Sequence, residues 1–151
     1  MSTLVLVGTD TIKINTRLLK DFPHGTVAKV SYATDIAVVK GGKNGNTVFA
    51  SNQSGNVATF ELSVLRGSDD DKYLNTQLKS YVADPTAFVL LTGELVKRLG
   101  DGSGNITADS YILTGGVFTK QVEGASNVEG DTEQAISKYT MQFAVAPRAI
   151  G

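Results

Sequence analysis

Hydrophobic and polar residues alternate along most of this chain, the period of a strand with one buried face. In Thr11–Asn15, Ile12 and Ile14 fall on one side. Strand-forming residues dominate Thr26–Thr34, Asp35–Gly41 and Thr47–Ser51. The clearest strand is Asn56–Gly67, where Phe60, Leu62 and Val64 share one face and Thr59, Glu61 and Ser63 the other. Thr86–Gly100 is more continuously apolar, which predicts a strand buried on both faces. Asn105–Glu123 reads as a strand pair or one bent strand, with Gly115–Gly116 as a bulge or kink. Ala135–Pro147 alternates again, Tyr139, Met141, Phe143 and Val145 against Thr140, Gln142 and Ala144.

One segment departs from this period. Ser68 is a good N-cap, and Asp69, Asp70 and Asp71 fill the turn where a helix dipole favours negative charge. Leu74, Leu78, Tyr81 and Val82 then follow the spacing of one helical face, and Pro85 blocks continuation. This predicts a single amphipathic helix over about residues 69–82. The class is mainly β with one covering helix. Neither an internal repeat nor an interdomain linker is visible, so residues 1–151 read as one domain.

Composition narrows the function. Charged residues make up 19% of the chain, below the roughly 25% of an ordinary soluble domain, which favours a surface partly covered by partners. The net charge is −1 and no Lys/Arg run stands out, so the basic stripe of a nucleic-acid binder is missing. There is no Cys, which excludes disulfides, zinc–thiolate sites and thiol nucleophiles. The opening MSTLVLVG is too short for a signal-peptide core, and no apolar stretch approaches the ~20 residues of a membrane span. The expectation is a soluble protein made inside the cell, with no membrane partner.

Candidate chemistry is sparse. His24, the single histidine, sits between Pro23 and Gly25 and reads as part of a turn. Asp101, Ser103 and Asn105 alternate like the opening of a calcium loop, but the sixth position is Ile106 and the twelfth Ile112, so a polar hairpin turn is the better reading. Asp69–Asp71 is explained by the helix start without a metal. Gly41–Gly42 and Gly45 lack the Gly-Lys-Ser/Thr and the following helix of a phosphate loop. No nucleophile–base arrangement appears. The expectation is no enzyme, no cofactor and no metal.

Two features remain. Lys40–Asn56 is long and rich in Gly and Asn, a loop with a short strand at Thr47–Ser51 inside it. The outer strand faces Thr59/Glu61/Ser63 and Thr140/Gln142/Ala144 are small and lightly charged. That suits either a Thr-rich solvent face or a lining close to another chain.

The order of strands, Gly/Asn-rich loop, long strand, one helix and further long strands resembles the tail tube proteins of contractile-tailed bacteriophages, and the inner-tube proteins of contractile secretion machines. The resemblance rests on Lys40–Asn56, on NVATFELSVLRGSDDDKYLN and on SKYTMQFAVAPRAI. It implies a small β-barrel or sandwich with a flanking helix. It implies homo-hexameric rings stacked into a tube in the virion tail, made in the host cytoplasm, through which genome DNA passes without specific binding. Sheath and baseplate or terminator proteins would be further partners. The long loop would reach a neighbouring ring through Lys40, Gly41, Gly42, Lys43, Asn44, Gly45, Asn46, Phe49, Asn52 and Gln53, flexible until rings stack. Thr59, Glu61, Ser63, Thr140 and Gln142 would line the lumen, neutral or acidic so that DNA slides. The alternatives are another tail component with the same fold, such as an initiator or terminator, and a non-catalytic β-sandwich that binds carbohydrate or a cell surface through Asn44, Asn46, Asn52 and Gln53. An enzyme with a carboxylate site has the least support.

Overall fold

The computed structural model describes residues 3–8, 11–126, 128 and 132–151. The strands are β1 (Val5–Leu6), β2 (Thr11–Ile14), β3 (Arg17–Leu18), β4 (Ala28–Ser31), β5 (Ala37–Gly41), β6 (Thr47–Ser51), β7 (Ala58–Leu65), β8 (Leu91–Gly100), β9 (Ile106–Phe118), β10 (Glu123–Gly124), β11 (Ile136–Val145) and β12 (Arg148–Ile150). One helix, α1 (Asp69–Ala83), follows β7. Ten strands form an antiparallel sheet whose main path is β3-β2-β8-β9-β11-β7-β4, with β1 on β8, β10 on β11 and β12 on β9. Among the described residues β5 and β6 pair only with each other. The large sheet ends at β3 and β4 rather than closing its ladder, a sandwich-like form of the mainly β class.

The alternation places the core where the pattern requires. Ile12 and Ile14, then Ala58, Phe60, Leu62 and Val64, then Tyr139, Met141 and Phe143 are all buried. Phe60 and Phe143 meet edge to face with ring centroids 6.1 Å apart, and Phe118 and Tyr139 do the same at 6.0 Å, arrangements that align ring edges with ring faces. α1 covers this layer with Leu74 and Leu78, both buried. The Gly115–Gly116 expectation resolves as a bulge in one continuous strand. The β8–β9 register shifts between Leu91 and Gly93, opposite Gly116 and Leu113. Gly115 has φ +68°, and Gly116 lies against the Phe143 ring so closely that a side chain there would overlap it.

Three expectations about burial need correction. Thr86–Gly100 is not a strand buried on both faces. The strand begins at Leu91, and Val89 and Leu90 are exposed in the return from the helix, where Asp84 caps the turn by accepting from the N–H and hydroxyl of Thr86. Val82 also lies outside the helix's buried stripe, because the last turn runs beyond the core; Tyr81 is half-buried against Phe88, with centroids 5.2 Å apart. At the end of β11, Val145 is exposed, whereas Thr140, assigned to the polar face, is buried between its neighbours.

Candidate functional site

The first turn of α1 is the most densely bonded polar centre described. Ser68 caps the helix, its hydroxyl accepting from Asp71 N. Asp70 is fully buried and accepts from Lys20 N at 2.7 Å, Asp21 N at 2.9 Å and Arg17 Nε at 3.2 Å. Burial pushes its carboxyl up, but the two backbone N–H groups and the guanidinium outweigh that and hold it below the usual carboxylate range. Asp71 accepts from the Tyr139 hydroxyl at 2.6 Å, from Ser137 Oγ at 3.2 Å and from Gly67 N at 2.8 Å. Burial and then the Asp71 carboxylate push the Tyr139 phenol well above its ordinary value. Arg17 also lies over the Tyr73 ring, 5.0 Å from its centroid. The acidic triplet therefore does more than start a helix: two of its three members fasten the helix to the β2–β4 connection and to β11. The sequence held a signal for this, since Asp70 precedes Leu74 and Leu78 at steps of four and so falls on the buried stripe.

The Gly/Asn-rich stretch contains a hairpin. β5 and β6 pair in register Val38↔Ala50, Val39↔Phe49 and Lys40↔Val48. The turn Gly42–Asn46 is closed by Gly42 N donating to Asn46 O and Gly45 N to Gly42 O, with Gly45 at φ +83°. At the base, Asn52 N donates to Ile36 O, and Asn52 Oδ1 accepts from Ser54 N and Oγ to start the 3-10 turn Gln53–Asn56. Gly55 packs directly on the Asp35–Ile36 backbone; a Cβ there would stand 2.7 Å from Ile36 Cα. Every residue of both strands is exposed, including Val39 and Val48, with Phe49 75% exposed. The inter-ring candidates thus divide by place. Lys40, Gly41 and Phe49 are on the strands, Gly42, Lys43, Asn44, Gly45 and Asn46 form the turn, and Asn52 and Gln53 stand at the base.

The structure brings the five lumen candidates together. The β7–β11 register sets Thr59 opposite Gln142 and Glu61 opposite Thr140, with Ser63 opposite Lys138. Gln142 Nε2 donates to Thr59 Oγ1 at 3.5 Å. The β4–β7 register adds Lys29 and Ser31 to this face, and β11's own alternation adds Lys138, two residues before Thr140. Lys29 of β4 lies opposite Glu61 and Ser31 opposite Thr59, and Lys138 Nζ is 3.7 Å from Glu61. The assembled face carries two lysines and one glutamate, and is less neutral than the five residues by themselves.

The remaining motifs sit in turns. His24 is exposed in a bend before Gly25, which has φ +93°. Asp101 closes the β8–β9 turn: its carboxylate accepts from Asn105 Nδ2 at 2.8 Å and Ser103 N at 2.7 Å, and these bonds, the Asn105 amide first, lower its pKa. Among the described residues no group of three or more His, Cys, Asp or Glu is placed to hold a metal. An apolar groove of about 280 Å³ runs between β2, β8 and Gly25–Ala28, lined by Ile12, Val27, Leu95 and Tyr111. Its polar rim is occupied: Lys97 donates to the carbonyls of Val7 and Gly8, and Asp109 pairs with Arg148 at 2.7 Å. No helix among the described residues is long and apolar enough to cross a membrane.

No family model matches the chain, and no curated protein matches it. Among solved structures, it is similar to a chain in the cryo-EM structure of the anti-feeding prophage baseplate, 6-fold symmetrised, at 11% identity and a TM-score of 0.48, covering 99% of this chain and 93% of that one.

Proposed function

We propose that this chain is a structural subunit of a phage-type tail, in which copies close into homo-hexameric rings and the rings stack into a tube that conducts DNA. The observation that carries the reading is the β5–β6 hairpin. A two-stranded hairpin is marginal in water unless something packs on it, yet this one stands apart from the large sheet with Val39, Val48 and Phe49 in solvent. Exposed apolar surface of that kind marks an interaction site. A second copy is the natural cover in a chain whose order of elements resembles tube proteins. Further exposed apolar residues at Leu4–Val7, Val89 and Leu90 give the subunit more surface to bury on assembly.

In this reading the Thr59/Glu61/Ser63/Thr140/Gln142 face turns to the lumen, where the Lys138–Glu61 pair offsets one lysine. Sheath and baseplate or terminator proteins bind the outside, the subunit resides in the virion tail, and it catalyses nothing. Phe49→Glu on the hairpin tests the reading. The variant should keep the circular dichroism of the native subunit and lose self-association in sedimentation velocity. Unchanged association would remove the hairpin from the assembly surface.

A further inference from the structure

We propose that the hairpin tip is a site of spontaneous covalent modification, the conversion of Asn44 to aspartate and isoaspartate. This inference concerns the free chain and stands independently of the assembly reading. Asn44 is the one asparagine followed by glycine in the sequence. In that dipeptide the backbone nitrogen of Gly45 can attack the side-chain carbonyl carbon of Asn44 with no Cβ in the way. The N–Cγ bond forms, the Cγ–Nδ2 bond breaks and ammonia departs. Water then opens the cyclic imide at either carbonyl, leaving aspartate or, with the backbone rerouted through the side chain, isoaspartate. Nothing is oxidised or reduced, and water is the only co-reactant.

The fold places this dipeptide where the reaction can proceed. Asn44 and Gly45 are exposed at the tip of a hairpin that, among the described residues, pairs with no other strand. Other asparagines are restrained. Asn52 and Asn105 have side chains bonded into turns, and Asn75 lies within α1. Asn15, Asn46, Asn56 and Asn105 precede Thr, Thr, Val and Ile, whose branched Cβ crowds the attacking nitrogen. Lys43 immediately precedes Asn44 within the turn, and Lys40 lies four residues before it; positive charge nearby favours the anion formed when the Gly45 amide loses its proton. The restraint on the reaction is the Gly45 N–H bond to Gly42 O at 3.1 Å, which must open before attack. The product disturbs the turn that produced it. Isoaspartate adds a methylene to the backbone inside the loop closed by Gly42 N and Asn46 O, and both products place a carboxylate directly after Lys43.

The test is peptide mapping by mass spectrometry of the intact chain, aged folded at mildly alkaline pH, with isoaspartyl methyltransferase labelling of the same samples. A gain of about 1 Da, the difference between an amide and an acid, is expected at Asn44 first, ahead of every other asparagine, with isoaspartate detected there. Asn44→Gln should abolish both signals at the tip, because the longer side chain cannot close the same ring. Equal conversion at several asparagines would overturn the proposal. So would conversion at Asn44 in denaturant but none in the folded chain, which would show that the turn's hydrogen bond protects it.

Discussion

Replacing Asp70 by alanine should be among the most damaging single substitutions in the helix. The carboxylate holds two backbone N–H groups, those of Lys20 and Asp21, at 2.7 and 2.9 Å. Without it both lose their partner. A buried donor left unsatisfied costs about 1–3 kcal/mol; since this turn is only part-buried, water reaches it in part, and the lower half of the range gives a total of about 2–4 kcal/mol. Loss of the Arg17 contact adds little, because that side chain is 38% exposed and can be rehydrated. With a urea slope of about 2 kcal/mol/M, the midpoint of unfolding should fall by about 1–2 M.

The acid limb gives a second readout. The folded carboxyl lies below its unfolded value of about 3.9, so its stabilisation is complete above that pH and disappears as pH falls through the folded value. Asp70→Asn, which does not titrate, should therefore be less stable than the native chain at neutral pH, and the gap should begin to close only as pH falls below about 4 toward the folded value. Urea unfolding followed by far-ultraviolet circular dichroism, repeated across pH, measures both effects. A neutral-pH loss for Asp70→Ala below about 1 kcal/mol, or no larger than that of Arg17→Ala, would refute the assignment of the two backbone bonds.

Other consequences follow from packing. Gly116→Ala would drive a methyl into the Phe143 ring, which is fully buried, and overpacking of this kind costs about 1–3 kcal/mol or more; a Gly116→Ala chain with a native melting temperature would show that the sheet relaxes freely there. Leu74→Ala should cost about 2–5 kcal/mol, read from urea unfolding, since Leu74 is fully buried beneath the helix. Gly55→Ala should open the base of the hairpin while sparing the core, because the new methyl meets backbone at 2.7–2.8 Å; hydrogen exchange should quicken at Ala37–Gly41 and Thr47–Ser51 and stay unchanged in β7 and β11.

The core was legible in the sequence because a strand's period is local. Phe60, Leu62 and Val64 declare a buried face without knowledge of their neighbours, and Ser68 with the leucines at 74 and 78 declares the helix. What depends on the partner strand was not legible. Lys29 joins the polar face only through the β4–β7 register, which no single strand encodes; Lys138 was already on it, two residues before Thr140 in the same alternating strand. Asp70 was masked by a sufficient local explanation, the helix dipole, although its step of four from Leu74 placed it on the buried stripe. The apolar run before Leu91 misled because hydrophobicity reports a demand for burial, and Val89 and Leu90 find none within a single chain. Gly42 and Gly45 suggested a loop over Lys40–Asn56 with Thr47–Ser51 as a strand inside it; that strand is β6, and its pairing with β5 across the Gly42–Asn46 turn was not legible because it depends on the partner strand.

The most direct test of the assembly account is negative-stain electron microscopy of the purified native chain over rising concentration. The account predicts rings or hollow tubes that lengthen as concentration increases. Compact single particles of one subunit at every concentration would contradict it.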